Sequence, residues 1–213
     1  QERHDFLSLS NILRDHFEGE LIEPRHGAFY GCSSLKKVSF SGENNLKIIS
    51  QSAFEGCDLQ ETLELPSICV ISNYAFAGNR NLKGIVTGDA LLSIGEYAFA
   101  MCAKLEDVKL GESITEIPQY AFASCEKLAA INLEKIQTIG EYAFFETGIT
   151  QLPAFTAETE IGRYAFSYTD ITEVTVPDNM VVAEGVFSQC MDLTSVTIGD
   201  DVTLEKYAFN MDK

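Results

Sequence analysis

Tryptophan is absent, histidine occurs three times and proline five, and basic residues number 15 against 32 acidic ones. The formal charge of -17 repels phosphate backbones, so a nucleic-acid partner is not expected. No stretch approaches the roughly 18 consecutive apolar residues that a membrane-spanning helix needs. Six cysteines are present, but no Cys-x-x-Cys pair supplies zinc spacing. His4, His16 and His26 do not pair at metal-ligand spacing, and a catalytic triad would need one of them to meet Ser and Asp across an irregular end. The 15 glycines are scattered through turns instead of forming a phosphate-binding loop. Acidic pairs such as Glu106-Asp107 and Asp200-Asp201 lack the Asp-x-Asp-x-Asp-Gly spacing of a calcium loop. Without tryptophan no stacking platform for a glycan is evident. No catalytic, cofactor or metal constellation is therefore expected, and neither is an enzyme.

The 213 residues suit one or two domains, and 46% apolar with 22% charged residues is globular composition. Charge is uneven along the chain. Residues 1–50 hold 6 basic and 7 acidic side chains, 51–154 hold 6 and 14, and 155–213 hold 3 and 11.

A repeat organises what is there. Phe29, Phe54, Phe76, Phe99, Phe122, Phe144, Phe166, Phe187 and Phe209 are spaced 21 to 25 residues apart, each but Phe187 preceded by Ala. Five residues earlier stands an aliphatic side chain, as at Ile49, Ile71, Ile94, Ile117, Ile139, Ile161, Val182 and Leu204. Two earlier stands tyrosine at Tyr74, Tyr97, Tyr120, Tyr142, Tyr164 and Tyr207. Three later stands cysteine at Cys32, Cys57, Cys102, Cys125 and Cys190, with Asn79, Thr147, Thr169 and Asp212 in that place elsewhere. An alternating stretch follows, as in Leu105-x-x-Val108-x-Leu110, and reads as a short half-buried strand. A unit of about 22 residues cannot bury its apolar face alone, whereas stacked units cover one another. Periodicity thus predicts a curved β-solenoid.

Two positions within the repeat invite chemical readings. Stacking brings Cys32 near Cys57 and Cys102 near Cys125, yet parallel-stacked side chains seldom reach disulfide geometry. Free thiols filling a slot beneath the turn are expected, while Cys69 lies outside the register. The tyrosines, if their stretch is extended, point to the same side as Phe and pack along the coil.

The pattern Phe-x-x-Cys-x-x-Leu-x-x-Val-x-Leu followed by Ile-Gly-x-Tyr-Ala-Phe, seen at Ile94 to Phe99 and Ile139 to Phe144, resembles the BspA-like leucine-rich-repeat family over residues 22–213. The resemblance implies a right-handed solenoid with parallel strands on its concave face and a mostly irregular or short-strand convex side. It also implies a non-enzymatic protein at the cell surface or secreted, several relatives being adhesins for host matrix proteins. Departures are local. Pro24 replaces the first aliphatic residue, and the repeats from Thr147 and Thr169 are one residue shorter before their strands. The expected division is an N-terminal cap over residues 1–21, helical or a degenerate repeat, and a solenoid of about nine repeats over 22–213, the last incomplete. A start at Gln1 with no signal segment suggests a processed or trimmed chain.

Outward positions of the strands form the expected partner-binding strip. It starts basic at Lys36 and Lys37, then becomes mixed at Glu61, Glu64, Lys83, Glu106, Asp107 and Lys109. Small residues at Ala129 and Ala130 lead to Asn132, and the strip ends in Glu173, Thr175 and Thr197. The expected function is adhesion or protein–protein interaction through this strip, with a protein as partner and no membrane insertion. The alternatives are a stalk presenting another domain and an intracellular interaction scaffold.

Overall fold

The computed structural model describes residues 26–39 and 46–211, so the cap expected over 1–21 lies outside the described residues. Among them no helix forms, and strands numbered in chain order lie on two sides of a solenoid. The long-strand side carries β2 (Thr62–Leu65), β4 (Gly84–Thr87), β6 (Asp107–Lys109), β8 (Ala130–Ile131), β11 (Glu173–Val176) and β13 (Ser195–Ile198). The other side carries two-residue strands: β1 (Ile48–Ile49), β3 (Val70–Ile71), β5 (Ser93–Ile94), β7 (Glu116–Ile117), β9 (Thr138–Ile139), β10 (Glu160–Ile161), β12 (Val181–Val182) and β14 (Thr203–Leu204). Every pairing is parallel and joins one coil to the next. This is the predicted repeat solenoid with parallel strands and a short-strand opposite side.

Alternation explains the long strands. In β2, Leu63 and Leu65 are buried while Thr62 and Glu64 are exposed, and β11 repeats the pattern with Val174 and Val176. Register then stacks like on like: Leu63 opposes Ile85, Ile85 opposes Val108, and Val108 opposes Ile131. On the opposite side Ile49, Ile71 and Ile94 stack in the same way. One core cluster runs from Ile49 to Ala208. Each coil alone would leave these side chains wet.

A turn ridge bearing the Tyr-x-Phe segments closes each coil, and it too is joined coil to coil. The Phe54 N–H donates to the Ala75 carbonyl at 2.8 Å, Phe76 to Ala98 at 2.8 Å, and Phe99 to Ala121 at 2.9 Å. Beneath it all nine phenylalanines form one ladder, with near-parallel neighbouring rings 5.1–6.0 Å apart. Such separations are those of offset stacks, and burying each of the rings from Phe54 to Phe187 stabilises its coil by about 1.5–3 kcal/mol.

Two expectations need correction. The stretch Ile149-x-x-Leu152-x-Ala154 forms no strand, and the long-strand side is split into β2-β4-β6-β8 and β11-β13. Pro153 has no N–H for a ladder. The equally short repeat from Thr169 has Val174 and Thr175 instead and does form β11. Residues 35–39 also form no strand, although Asp58 and Gln60 donate to the Leu35 and Lys36 carbonyls at 3.2 and 3.0 Å.

Candidate interaction face

The outward side chains of the long-strand side form columns across the coils. One follows the backbone register Thr62, Gly84, Asp107 and Ala130, and the next Glu64, Val86 and Lys109. The residues just before these strands extend the charge: Lys37 bonds Glu61 across coils at 2.7 Å, and beyond Glu61 come Lys83 and Glu106. Lys36, Lys37, Glu61, Glu64, Lys83, Glu106, Asp107, Lys109, Glu173, Thr175 and Thr197 are all exposed. Lys36 and Lys37 occupy the face without belonging to a strand. Asn132 is exposed too, but its amide is engaged. Its Oδ1 accepts from the Leu110 N–H at 2.9 Å and its Nδ2 donates to the Leu110 carbonyl at 3.0 Å. That side chain continues the ladder where β8 ends.

The break at Pro153 separates two chemistries. On the β2-β4-β6-β8 side the face is charged and mixed. On the β11-β13 side it is mostly hydroxyl: Thr175 lies beside Thr197 and Glu173 beside Ser195, with Thr194 Oγ1 donating to the Thr172 carbonyl at 3.1 Å. At the end of the charged half lies a shallow open depression bordered by Glu106, Asp107, Lys109, Ala130, Ile131 and Glu134. Beside it Lys135 pairs with Glu112.

All six cysteines are free, and only Cys32 is exposed. Their slot has a role that composition alone did not reveal. Cys57, Cys102, Cys125 and Cys190 donate to the phenylalanine carbonyl of the preceding coil at 3.1, 3.3, 3.2 and 3.2 Å. Where Asn79 fills the slot, its Nδ2 donates to both the Phe54 and Phe76 carbonyls, at 2.7 and 2.8 Å. Thr147 and Thr169 donate to Phe144 and Phe166 of their own coils at 2.9 and 2.7 Å. Cys, Asn and Thr share only small size and a donor hydrogen, and that common property was the available signal. Burial pushes the Cys102 thiol up to about 12 and Cys125 well above its ordinary range, so neither is a nucleophile at neutral pH. Cys69, the cysteine out of register, packs with Ile48 and Val70 in a small cluster on the short-strand side.

The tyrosines do not share the phenylalanines' side, contrary to expectation. Their stretch is not extended: Tyr74, Tyr97, Tyr120, Tyr142 and Tyr164 adopt left-handed backbone with φ of 54–58°. That turns each ring onto the ridge, where the five form a second, half-buried ladder with centroids 4.6–5.1 Å apart. Ring faces are consumed by stacking, so the ladder offers edges, not a platform for a sugar. Desolvation raises the Tyr97 and Tyr120 hydroxyls, with neighbouring tyrosines adding to it. At the next coil the ladder stops. Gly185 replaces tyrosine, the Tyr164 ring lies where a Cβ would stand, 2.2 Å from its nearest ring atom, and the Tyr164 hydroxyl donates to Glu184 at 3.1 Å. Tyr164 and Arg163 both bond Glu184, and the tyrosine's hydrogen bond is the larger cause of its lowered carboxyl pKa. Among the described residues no group of three or more metal-ligating side chains converges, and no helix is long and apolar enough to cross a membrane.

Parallel coils of about 22 residues, aliphatic strand ladders and a stacked aromatic spine define a leucine-rich-repeat solenoid. Within that class, the family model for the BspA type leucine rich repeat region matches in six copies over residues 16–128, 47–168 and 92–213, and the chain belongs to that family. Among solved structures it is similar to a leucine-rich-repeat protein of T. pallidum, with 26% identity, a TM-score of 0.56, and coverage of 65% of this chain and 72% of that one. A leucine-rich-repeat protein of Bacteroides ovatus shares the fold at 21% identity and a TM-score of 0.54, over 84% of this chain and 67% of that one. Comparison with curated proteins gives no match.

Proposed function

We propose that the chain is a non-catalytic interaction protein that grips a partner protein along its long-strand face. In this reading it is displayed on or exported from a microbial cell and serves in adhesion. The observation that carries the reading is the row of exposed charged side chains Lys36, Lys37, Glu61, Glu64, Lys83, Glu106, Asp107 and Lys109, running beside and along the β2-β4-β6 ladder. Membership in the BspA type repeat family supports protein binding. Contacts there are polar and exposed, so binding is salt-sensitive.

The test is affinity capture by the immobilised chain from host matrix proteins and whole-cell extract, with Glu106→Lys/Asp107→Lys alongside. Retention of a matrix protein by the parent and its loss by the variant supports adhesion through this face. Equal retention by both overturns the face. A second reading is a stiff spacer, favoured by the aromatic ladder that joins every coil to the next. It predicts that nothing is retained.

A further inference from the structure

We propose that the depression between β6 and β8 seats a single arginine or lysine of an extended segment of the partner protein. This inference rests on the interaction reading above and names the chemistry of the occupant. Shape is the first observation. Where preceding coils present Glu61, Lys83 and Glu106, the β8 coil presents Ala129 and Ala130, so the surface steps down. The floor is the second: exposed Ala130 presents only a methyl group on an otherwise polar face, while Ile131 beside it packs against the core. The alkyl stem of a basic side chain suits such a floor while its charged head stays at the rim.

Charge complementarity selects the sign. Glu106, Asp107 and Glu134 border the depression against one cation, Lys109. The three salt bridges among the described residues involve none of these four side chains, and the neighbouring Lys135 is already held by Glu112. The net charge of -17 favours approach of a basic partner. Lys109 opposes a second cation close by, so one basic residue flanked by small or β-branched neighbours is the expected pattern. The pair of hydrogen bonds between Asn132 and Leu110 holds the rim in shape before anything binds.

The test is NMR titration of the isotope-labelled chain with a short peptide that alternates valine and threonine around one central arginine. Peptides with glutamine or glutamate at the centre serve as controls. The arginine peptide is expected to shift the Ala130 and Ile131 amides and to bind about tenfold more tightly than the glutamine peptide, a difference of about 1.4 kcal/mol. Glu106→Gln/Asp107→Asn should remove most of that preference, and Ala130→Arg should abolish binding by filling the dip. Glu116→Gln/Glu160→Gln, an equal loss of charge on the short-strand side, should leave it unchanged. Equal weakening by both double variants overturns the proposal, because attraction is then diffuse. Binding of the glutamine or glutamate peptide at this face in preference to arginine also overturns it, while the broader interaction reading stands. No shift with any peptide overturns the proposal, and matrix-protein capture then decides the broader reading separately.

Discussion

Two aromatic ladders run side by side through this molecule, and they are built from residues only two positions apart. The seven phenylalanine rungs from Phe54 to Phe187 are buried, six of them almost completely, with exposed Phe29 and half-buried Phe209 at the two ends, whereas the tyrosine rungs are half-exposed on the ridge. Spacing and stacking are nearly the same, so neither periodicity nor ring area separates them. The backbone does. A left-handed residue at each tyrosine turns one ring outward and leaves the next aromatic facing the core. Such a conformation costs a side-chain-bearing residue on the order of 1 kcal/mol, and the coil-to-coil hydrogen bonds hold it in place. A ladder of stacked rings can therefore be a core or a surface, depending on a single dihedral per repeat.

The largest effect should come from breaking the inner ladder. Phe122→Ala removes a ring fully buried between Phe99 and Phe144 and is expected to destabilise by about 3–5 kcal/mol in denaturant unfolding. Breaking the outer ladder at the facing rung should cost less. Tyr120→Ala loses two stacks from a half-exposed site, about 1–2 kcal/mol, and Tyr120→Phe should be close to neutral. Equal losses from Phe122→Ala and Tyr120→Ala would mean that the two ladders are not core and surface.

The inner ladder's carbonyls supply a third contrast. Cys125→Val deprives the Phe99 carbonyl of its thiol donor and should destabilise by about 1 kcal/mol, whereas Cys125→Thr keeps a donor in the slot, aimed at its own coil's Phe122 carbonyl as at Thr147 and Thr169, and should cost less. These thiols also give a pH dependence. Their folded pKa values are raised, so above about pH 9 the unfolded chain ionises thiols that the folded chain keeps protonated. The unfolded state then binds fewer protons, and stability falls as pH rises from about 9 towards 12. Cys102→Thr/Cys125→Thr should make that fall shallower in urea titrations across the range. The smallest effect is expected at the second left-handed position of the turn. Met101 is exposed there with φ of 60°, where Gly78 stands one coil earlier, and Met101→Gly should raise stability by up to about 1 kcal/mol.

Much of the candidate face was legible in advance because strand alternation is local: Glu64 and Lys109 point out for the same reason that Leu63 and Val108 point in. Asn132 was legible as exposed but not as engaged, since its partner Leu110 lies 22 residues away in sequence. The depression was not legible as a shape, although its cause, two alanines in a row of longer side chains, was. The missing strand at Pro153 followed from a residue whose effect on a ladder is known, applied to a repeat already one residue short.

The sequence by itself determined the period, the solenoid and the core, because burial in a repeat protein needs only the right apolar residue at the right interval. Tertiary structure decided the sidedness of the tyrosines and the acceptor of each thiol. Those depend on a neighbouring coil about 22 residues away, whose carbonyls and rings select one backbone conformation among several that the local sequence allows.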